Sequence, residues 1–302
     1  MPFTPDYYVK PERRAYTEEA KLENENGRIG ILMLHGFMGS PVSSNPMAKY
    51  LAERGITVHC PLLPGHGEHP NKLLGCRREQ WIAETVEAYD SFRPQVDELF
   101  IMGHSMGTVF GAMLCNTNPD DVKGLIMLTP MYDTPDRRLN VFRPLHYFMR
   151  WFYPTMLPSR SMRKLIRERV HDFDPTMSVD DPEVKKNLKE LAKVPTDALY
   201  EMLKMGDYSR SNVWPKFKHP CIIFRGEHDP AVKLSSTENL LTAIRSQDKD
   251  LHSFPDSGHE VMRPFDPAHK RVWELTIRFV QEYSEIGLPE TAVSREQQTA
   301  QT

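Results

Sequence analysis

A serine between two glycines is the first feature of this sequence that could do chemistry. Ser105 lies in residues 103–107, G-H-S-M-G, directly after an apolar segment and before a segment with helical character. This G-x-S-x-G pattern is typical of a nucleophilic serine on a sharp strand-to-helix turn, where the helix N-terminus favours developing negative charge. The alternative is an ordinary turn serine, which the strand and helix context disfavours.

A serine hydroxyl is a poor nucleophile unless a base takes its proton, so the pattern predicts a histidine and a carboxylate partner. In triads built on such a serine turn, the acid and then the base follow the serine along the chain. Asp229 and His259 fit that order, and each follows a segment predicted as a strand. Glu227 stays open as a rival acid, whereas Asp256 is better explained by a tight turn.

Hydrolysis through a tetrahedral intermediate also needs amide donors for the developing oxyanion. The amide after the nucleophile belongs to Met106, and a second donor usually comes from the loop after an early strand. His35 and Gly36 end the first apolar segment, which makes Phe37 the predicted second donor. The alternative for residues 35–37 is a simple strand-ending turn.

The histidines His66 and His69 are the remaining candidates for metal ligands. Their loop, residues 64–70, contains two glycines and two prolines. Such a loop is a poor rigid frame, and no cysteine or carboxylate cluster completes a site. We therefore predict no metal site.

The candidate residues need a sheet that brings them together, and the alternation of short apolar segments with amphipathic ones predicts it. The predicted strands are residues 29–34, 57–60, 99–102, 125–128, 221–225 and 251–254. Helices are predicted between Asn45, as cap, and Gly55, around residues 236–245, and from Asp266 onwards. The predicted fold class is α/β, with a mostly parallel, doubly wound sheet.

Residues 131–215 have a different composition, rich in arginine, methionine, aromatics and proline. They predict an all-helical cap inserted between two core segments, residues 1–130 and 216–283. The last residues, 284–302, are polar and predicted to be disordered.

The segment of residues 145–157 within the cap is apolar almost all round, which predicts a helix. Packing within the cap, an acyl pocket and a lipid or partner surface are the three interpretations of it. Phe148, Trp151 and Phe152 are the candidate substrate-binding residues.

Composition limits the partners that we expect. Basic and acidic residues number 38 and 41, for a net charge of -3, which gives no bias toward nucleic acid. The sequence has neither a signal-peptide pattern nor an apolar run of about eighteen residues. Four cysteines without C-x-x-C spacing indicate reduced thiols. We predict a cytoplasmic monomer or homodimer without nucleic-acid partner or stable membrane insertion.

The chain contains, in this order, the motifs HGFMGSP, PLLPGHGEHP, GHSMGT, GEHDPAV and SGHEV. With these motifs it resembles the α/β-hydrolase superfamily, and within it the bacterial carboxylesterase and monoacylglycerol lipase group. The resemblance covers residues 28–130 and 216–283 and leaves most of the insertion uncovered. It implies a triad of Ser105, Asp229 and His259, with an oxyanion hole of the Phe37 and Met106 amides. One departure is Thr108, where the family usually has a second glycine.

The resemblance implies a small-molecule ester substrate with an apolar acyl group, either a short to medium acyl ester or a monoacylglycerol, and no cofactor. One alternative is a triad hydrolase of a thioester, an amide or a carbon–carbon bond. Another is a ligand-binding protein with negligible turnover. Dehalogenase and epoxide-hydrolase chemistry is excluded because it needs an aspartate where this chain has Ser105.

Overall fold

The chain alternates strands and helices, and the computed structural model describes residues 11–133, 140, 142–156, 163, 166, 167, 170 and 178–289. Its strands are β1 (Tyr16–Glu18), β2 (Ile29–Leu34), β3 (Ile56–Cys60), β4 (Glu98–His104), β5 (Val122–Leu128), β6 (Trp151–Phe152), β7 (Val194–Pro195), β8 (Cys221–Gly226) and β9 (Lys249–Phe254). Its α-helices are α1 (Asn45–Ala52), α2 (Arg78–Phe92), α3 (Met106–Thr117), α4 (Phe142–Leu145), α5 (Pro182–Leu191), α6 (Thr196–Asn212), α7 (Leu234–Ala243) and α8 (His269–Tyr283).

A seven-stranded sheet carries the fold, in the order β1-β3-β2-β4-β5-β8-β9. Only β1 in this sheet runs antiparallel to its neighbour; the other pairs are parallel. The predicted strands are confirmed, and β1 is an addition. The chain steps from β2 to β3 on one side and then to β4 on the other. Open α/β sheets bind ligands at the carboxyl ends of strands where the order reverses in this way.

The two central strands are buried on both faces, which explains their continuous apolar sequences. Every residue of β2 and β4 is buried. Side chains of β2 alternate between two core clusters, with Leu32 and Leu34 in one and Ile31 and Met33 in the other. Residues of α2 and α3 belong to the first cluster and residues of α1 and α8 to the second. The sheet is therefore covered on both faces, as predicted.

The first crossover helix differs from prediction at its start. Asn45 is the first helical residue of α1 rather than its cap, and Ser44 precedes it. The Ser44 hydroxyl donates instead to the Pro41 carbonyl at 2.8 Å, because a short 3-10 turn leads directly into the helix.

The insertion is not all-helical, and the helix predicted over residues 145–157 is wrong. Helix α4 (Phe142–Leu145) ends at the first residue of the predicted helix. Further along the segment, β6 pairs antiparallel with β7. Pro154 has no N–H to continue a helical hydrogen-bond pattern, and it begins a separate 3-10 turn. Residues 146–156 therefore form turns, a two-residue strand and a 3-10 turn, and residue 157 lies outside the described residues.

The first residues of the tail predicted to be disordered, 284–289, are structured. Glu98 accepts hydrogen bonds from the Ser284 hydroxyl and from the Glu285 amide, and Leu288 is buried. These contacts hold residues 284–289 against the sheet. Residues 290–302 lie outside the described residues.

Among the described residues, none of the helices combines the length and the apolar character that crossing a bilayer requires.

Candidate active site

The turn between β4 and α3 holds Ser105 in a backbone conformation that non-glycine residues rarely adopt. Its φ is 52° and its ψ is -116°. Hydrogen bonds fix it: the Ser105 amide donates to the Leu128 carbonyl at 2.9 Å, and its carbonyl accepts from the amides of Thr108 and Met131. Such strain costs about 1–3 kcal/mol and is characteristic of functional turns. The serine predicted from its motif thus lies on the predicted strained turn.

The flanking glycines are required by close backbone contacts. A Cβ at Gly107 would lie 2.1 Å from the main-chain oxygen of Leu34, and one at Gly103 would lie 2.5 Å from the Cα of Thr108. Neither contact can be relieved by rotating a side chain. The G-x-S-x-G spacing therefore follows from packing of the turn against β2 and against the first turn of α3.

We expect Gly107→Ala to lower the free energy of unfolding by at least about 2 kcal/mol, because overpacking against backbone forces the turn to move. Urea denaturation measures this. Gly206→Ala in α6 is the matched control, since its Cβ would meet no atom closer than the Arg210 side chain at 3.8 Å. That variant should be more stable by up to about 1 kcal/mol. Equal stability of Gly107→Ala and the unsubstituted protein would contradict the packing argument.

Thr108, the departure from the family pattern, has a local role. Its hydroxyl donates to the Ser105 carbonyl at 2.6 Å, and its amide donates to the same oxygen at 3.1 Å. The extra side chain is fully buried. The residue thus adds a hydroxyl donor to the serine turn.

Asp229 and His259 form a buried pair. The distance from His259 Nδ1 to Asp229 Oδ2 is 2.7 Å, and the Asp229 side chain is 2% exposed. The other Asp229 oxygen accepts from the amides of Ala231 and Val232 at 2.7 and 2.8 Å. The carboxylate thus lies against Nδ1 of His259, and the other ring nitrogen is Nε2.

The rival acid points elsewhere. Glu227 accepts a hydrogen bond from the Ser253 hydroxyl at 2.8 Å, in an exposed position. Asp256 is exposed in the turn after β9. The geometry therefore favours Asp229 as the histidine's partner.

A second buried carboxylate, Asp266, orders the loop of residues 257–259, here called the histidine loop. The sequence predicts Asp266 only as the start of a helix. Asp266 accepts from the Ser257 hydroxyl at 2.6 Å, the Gly258 amide at 3.1 Å and the Ala268 amide at 3.0 Å. It therefore ties the residues just before His259 to the beginning of α8. No local pattern indicates these loop contacts.

The His259 carbonyl is held by two side chains at the carboxyl ends of β4 and β5. It accepts from His104 Nε2 at 3.1 Å and from the Thr129 hydroxyl at 3.0 Å. His104 immediately precedes Ser105, so these bonds fix the histidine loop to the serine turn. Neither donor is indicated by a sequence motif.

The turn after β2 lies directly beside Ser105. A Cβ at Gly36 would be 3.1 Å from the Ser105 Cβ. The Gly39 amide closes the turn on the Gly36 carbonyl at 3.0 Å, and Met38 has a φ of 61°. Phe37 therefore lies in a tight turn next to Ser105. Met106 is the first residue of α3, where main-chain amides have no partner within the helix.

His35 holds this turn through both ring nitrogens. Nδ1 donates to the Gly36 carbonyl at 3.0 Å, and Nε2 accepts from the Leu63 amide at 3.1 Å. Burial lowers the pKa of His35 to about 4. The imidazole is therefore neutral in the folded protein at neutral pH.

Stability should fall as pH drops from about 6.5 to 4, because the unfolded chain protonates His35 while the folded chain resists it. The pKa difference corresponds to a loss of up to about 3 kcal/mol. Denaturant titrations of the original protein and His35→Gln across this range measure the contribution. We expect a shallower pH dependence in His35→Gln, and parallel curves would contradict the assignment.

The two histidines considered as metal ligands pack as ordinary side chains. The His66 ring centroid lies 5.1 Å from that of His35 and 5.5 Å from that of Trp81. His69 Nδ1 accepts from the Asn71 amide at 3.2 Å. Within the described ranges, no group of three His, Cys, Asp or Glu side chains is arranged to hold a metal ion.

The structure does not bring the three candidate substrate-binding residues of the cap to one place. Phe148 is 86% exposed and lines a cleft of about 500 Å³. Trp151 has the Lys193 ammonium 4.1 Å from its ring centroid. Phe152 packs against the core cluster that contains Met106. Adjacent residues of a strand point to opposite sides, which separates Trp151 from Phe152.

Comparisons with known proteins identify the family. The family model described as Hydrolase_4, serine aminopeptidase, S33, matches residues 26–267. The chain is 24% identical over 255 residues to a carboxylesterase of Bacillus subtilis (strain 168), covering 83% of this chain and 93% of that protein. It is 24% identical over 242 residues to a thermostable monoacylglycerol lipase of Bacillus sp. (strain H-257), covering 80% and 87%.

A solved structure from the metagenome-derived lipolytic enzymes LipS and LipT superposes with a TM-score of 0.71. The identity is 23%, and the match covers 91% of this chain and all of the other. At 23% identity this structural match shows a shared fold and no more.

Proposed function

The chain has the α/β-hydrolase fold and belongs to the Hydrolase_4 family, serine aminopeptidase, S33, and on that premise we propose that it hydrolyses carboxylic esters with Ser105 as nucleophile, His259 as base and Asp229 as the orienting acid. The observation that supports this best is the 2.7 Å contact between His259 and Asp229, in a loop tied to the strained Ser105 turn. The carboxylesterase and monoacylglycerol lipase relatives support an ester as the substrate.

In the acylation step, His259 Nε2 takes the proton of the Ser105 hydroxyl as the oxygen attacks the ester carbonyl. Asp229 keeps the other imidazole proton on Nδ1 and stabilises the imidazolium that forms. The carbonyl oxygen gains negative charge, which the amides of Phe37 and Met106 stabilise. The tetrahedral intermediate then expels the alcohol, which receives the proton from His259, and an acyl-Ser105 ester remains.

Deacylation repeats these steps with water. His259 takes a proton from water, the hydroxide attacks the acyl carbonyl, and the same two amides hold the oxyanion. Collapse of the intermediate breaks the bond to Ser105, whose oxygen recovers the proton from His259. No step requires a cofactor.

The proposed substrate is a small ester with an apolar acyl group, either a short to medium acyl ester or a monoacylglycerol. The relatives' names support both classes. A cytoplasmic location and a monomeric or homodimeric state belong to the same proposal. The free thiols of Cys60, Cys115 and Cys221, all buried, are in keeping with a reducing compartment.

Turnover of p-nitrophenyl esters of graded chain length and of monoacylglycerols tests the proposal, with thioester and anilide analogues in the same panel. Where deacylation is slow, we expect a burst of p-nitrophenol stoichiometric with enzyme, followed by a linear phase. Ester hydrolysis that depends on Ser105 supports the proposal. Hydrolysis of thioesters or anilides alone would replace it with the corresponding triad hydrolase, and absence of turnover on the whole panel would favour a ligand-binding protein.

A further inference from the structure

A buried carboxylate next to His259 has no place in the steps above. Glu260 is 6% exposed, and its Oε1 lies 3.8 Å from His104 Nε2. Within the described residues, no hydrogen-bond donor reaches its Oε2. Burying an incompletely paired carboxylate is costly, so its position calls for an explanation.

The His104 ring connects this carboxylate to the catalytic histidine. Its Nε2 is 3.1 Å from the His259 main-chain oxygen. A carbonyl oxygen only accepts, so this nitrogen must carry the proton. His104 Nδ1 faces Gly36, where it would lie 3.3 Å from a Cβ at that position. The carbonyl and the Glu260 charge thus both favour the tautomer with hydrogen on Nε2.

We propose that His104 and Glu260 are positioning residues for the proposed reaction: His104 Nε2–H donates to the His259 carbonyl, and the Glu260 carboxylate keeps the proton on that nitrogen. The inference rests on the proposed roles of Ser105 and His259. This pair, here called the His104–Glu260 dyad, restrains the backbone of His259 through its carbonyl. Asp229 restrains the imidazole ring of His259 through Nδ1. Two restraints on one residue fix the direction in which its Nε2 points.

The charged and titratable groups that interact with His104 are Glu260, Asp229, His259 and His35. Burial lowers the pKa of His104, the Glu260 and Asp229 carboxylates oppose this shift, and His259 adds to it. His35 faces it from the turn after β2. His104 is therefore neutral at neutral pH, in keeping with a single proton on Nε2.

Kinetics of His104 variants test the first half of the proposal. His104→Leu removes the donor, and we expect kcat to fall about tenfold, with KM changed by less than about twofold, since a hydrogen bond that orients the base acts on the chemical step. His104→Gln restores an N–H near the same position and should recover kcat to within about threefold of the original. Original kcat in His104→Leu, or no recovery in a folded His104→Gln, would overturn the proposal.

The pH profile of Glu260→Gln tests the second half. His259 must be neutral to take the serine proton, and a nearby buried carboxylate favours its charged form. Removing that charge should shift the acid limb of the profile, where kcat/KM falls as pH drops, to lower pH by about half a unit. The matched control is Asp256→Asn, which removes an exposed carboxylate three residues before His259 and should leave the limb in place. Equal shifts in both variants, or none in Glu260→Gln, would overturn the role of Glu260.

A spectroscopic measurement separates this inference from the proposed function. Long-range ¹H–¹⁵N spectra of histidine-labelled protein report the tautomer of each ring, and the His104 signals are identified by their loss in His104→Gln. We expect the Nε2–H form near neutral pH, with a detectable Nδ1–H population in Glu260→Gln. An Nδ1–H form in the unsubstituted protein overturns the dyad, whether or not esters are hydrolysed. Ester hydrolysis with unaffected His104 and Glu260 variants overturns the dyad alone.

Discussion

Ser105→Ala should lower kcat for a p-nitrophenyl ester by about 10⁵- to 10⁶-fold, because no other group in the described site supplies the attacking oxygen. Residual turnover comes from the oxyanion amides and substrate binding. Steady-state kinetics measure the loss. Ser91→Ala is a matched control, since Ser91 lies on α2 and donates only to the Ala88 carbonyl of its own helix at 3.1 Å.

The Ser91→Ala control should retain the original kcat and KM. If Ser105→Ala keeps more than about one hundredth of the activity, a different nucleophile is at work and the assignment of Ser105 is wrong.

Asp229→Asn should lower kcat about 10⁴-fold, because an amide next to His259 Nδ1 stabilises the wrong tautomer and leaves the imidazolium without its partner charge. The fold should persist, since the amides of Ala231 and Val232 can still donate to the remaining carbonyl oxygen. Steady-state kinetics that compare the kcat of this variant with that of the original protein are the measurement.

Glu227→Gln is the control for the rival acid. Glu227 is two residues away and contacts Ser253 rather than His259, so kcat should change by less than about twofold. A large loss in Glu227→Gln together with a small loss in Asp229→Asn would exchange the two roles.

The sheet and the serine turn were predictable because both depend on local sequence. Continuous apolar segments such as β2 are typical of central parallel strands. The glycines around Ser105 could be recognised by spacing alone, and the structure supplies the reason, since a Cβ at Gly107 would meet Leu34. Chain order named Asp229 and His259 as candidates and left Glu227 open, and the structure places His259 Nδ1 2.7 Å from Asp229 Oδ2.

Contacts between distant segments were not predictable from local patterns. His104 and Thr129 donate to His259 across 155 and 130 positions of the chain, and no spacing rule connects them. Strand β1 was missed because its three residues, Tyr16–Glu18, are only partly buried or exposed. A short edge strand of this kind lacks the apolar sequence that identifies the central ones.

The cap misled sequence reasoning for a different reason. An apolar segment does not by itself predict a helix, because short apolar segments suit helices, strands and irregular chain alike. Trp151 and Phe152 pair with β7, and Phe148 is exposed instead of buried. Tertiary pairing with residues 194–195 determines the conformation there.

Mapping the site of covalent labelling by a fluorophosphonate is the most direct test of the central claim. We expect intact-mass spectrometry to show one adduct per chain, peptide mapping to place it on Ser105, and esterase activity to disappear in proportion to labelling. The Ser105→Ala protein should remain unlabelled. An adduct on another residue, or full activity in protein whose Ser105 is modified, would contradict the account.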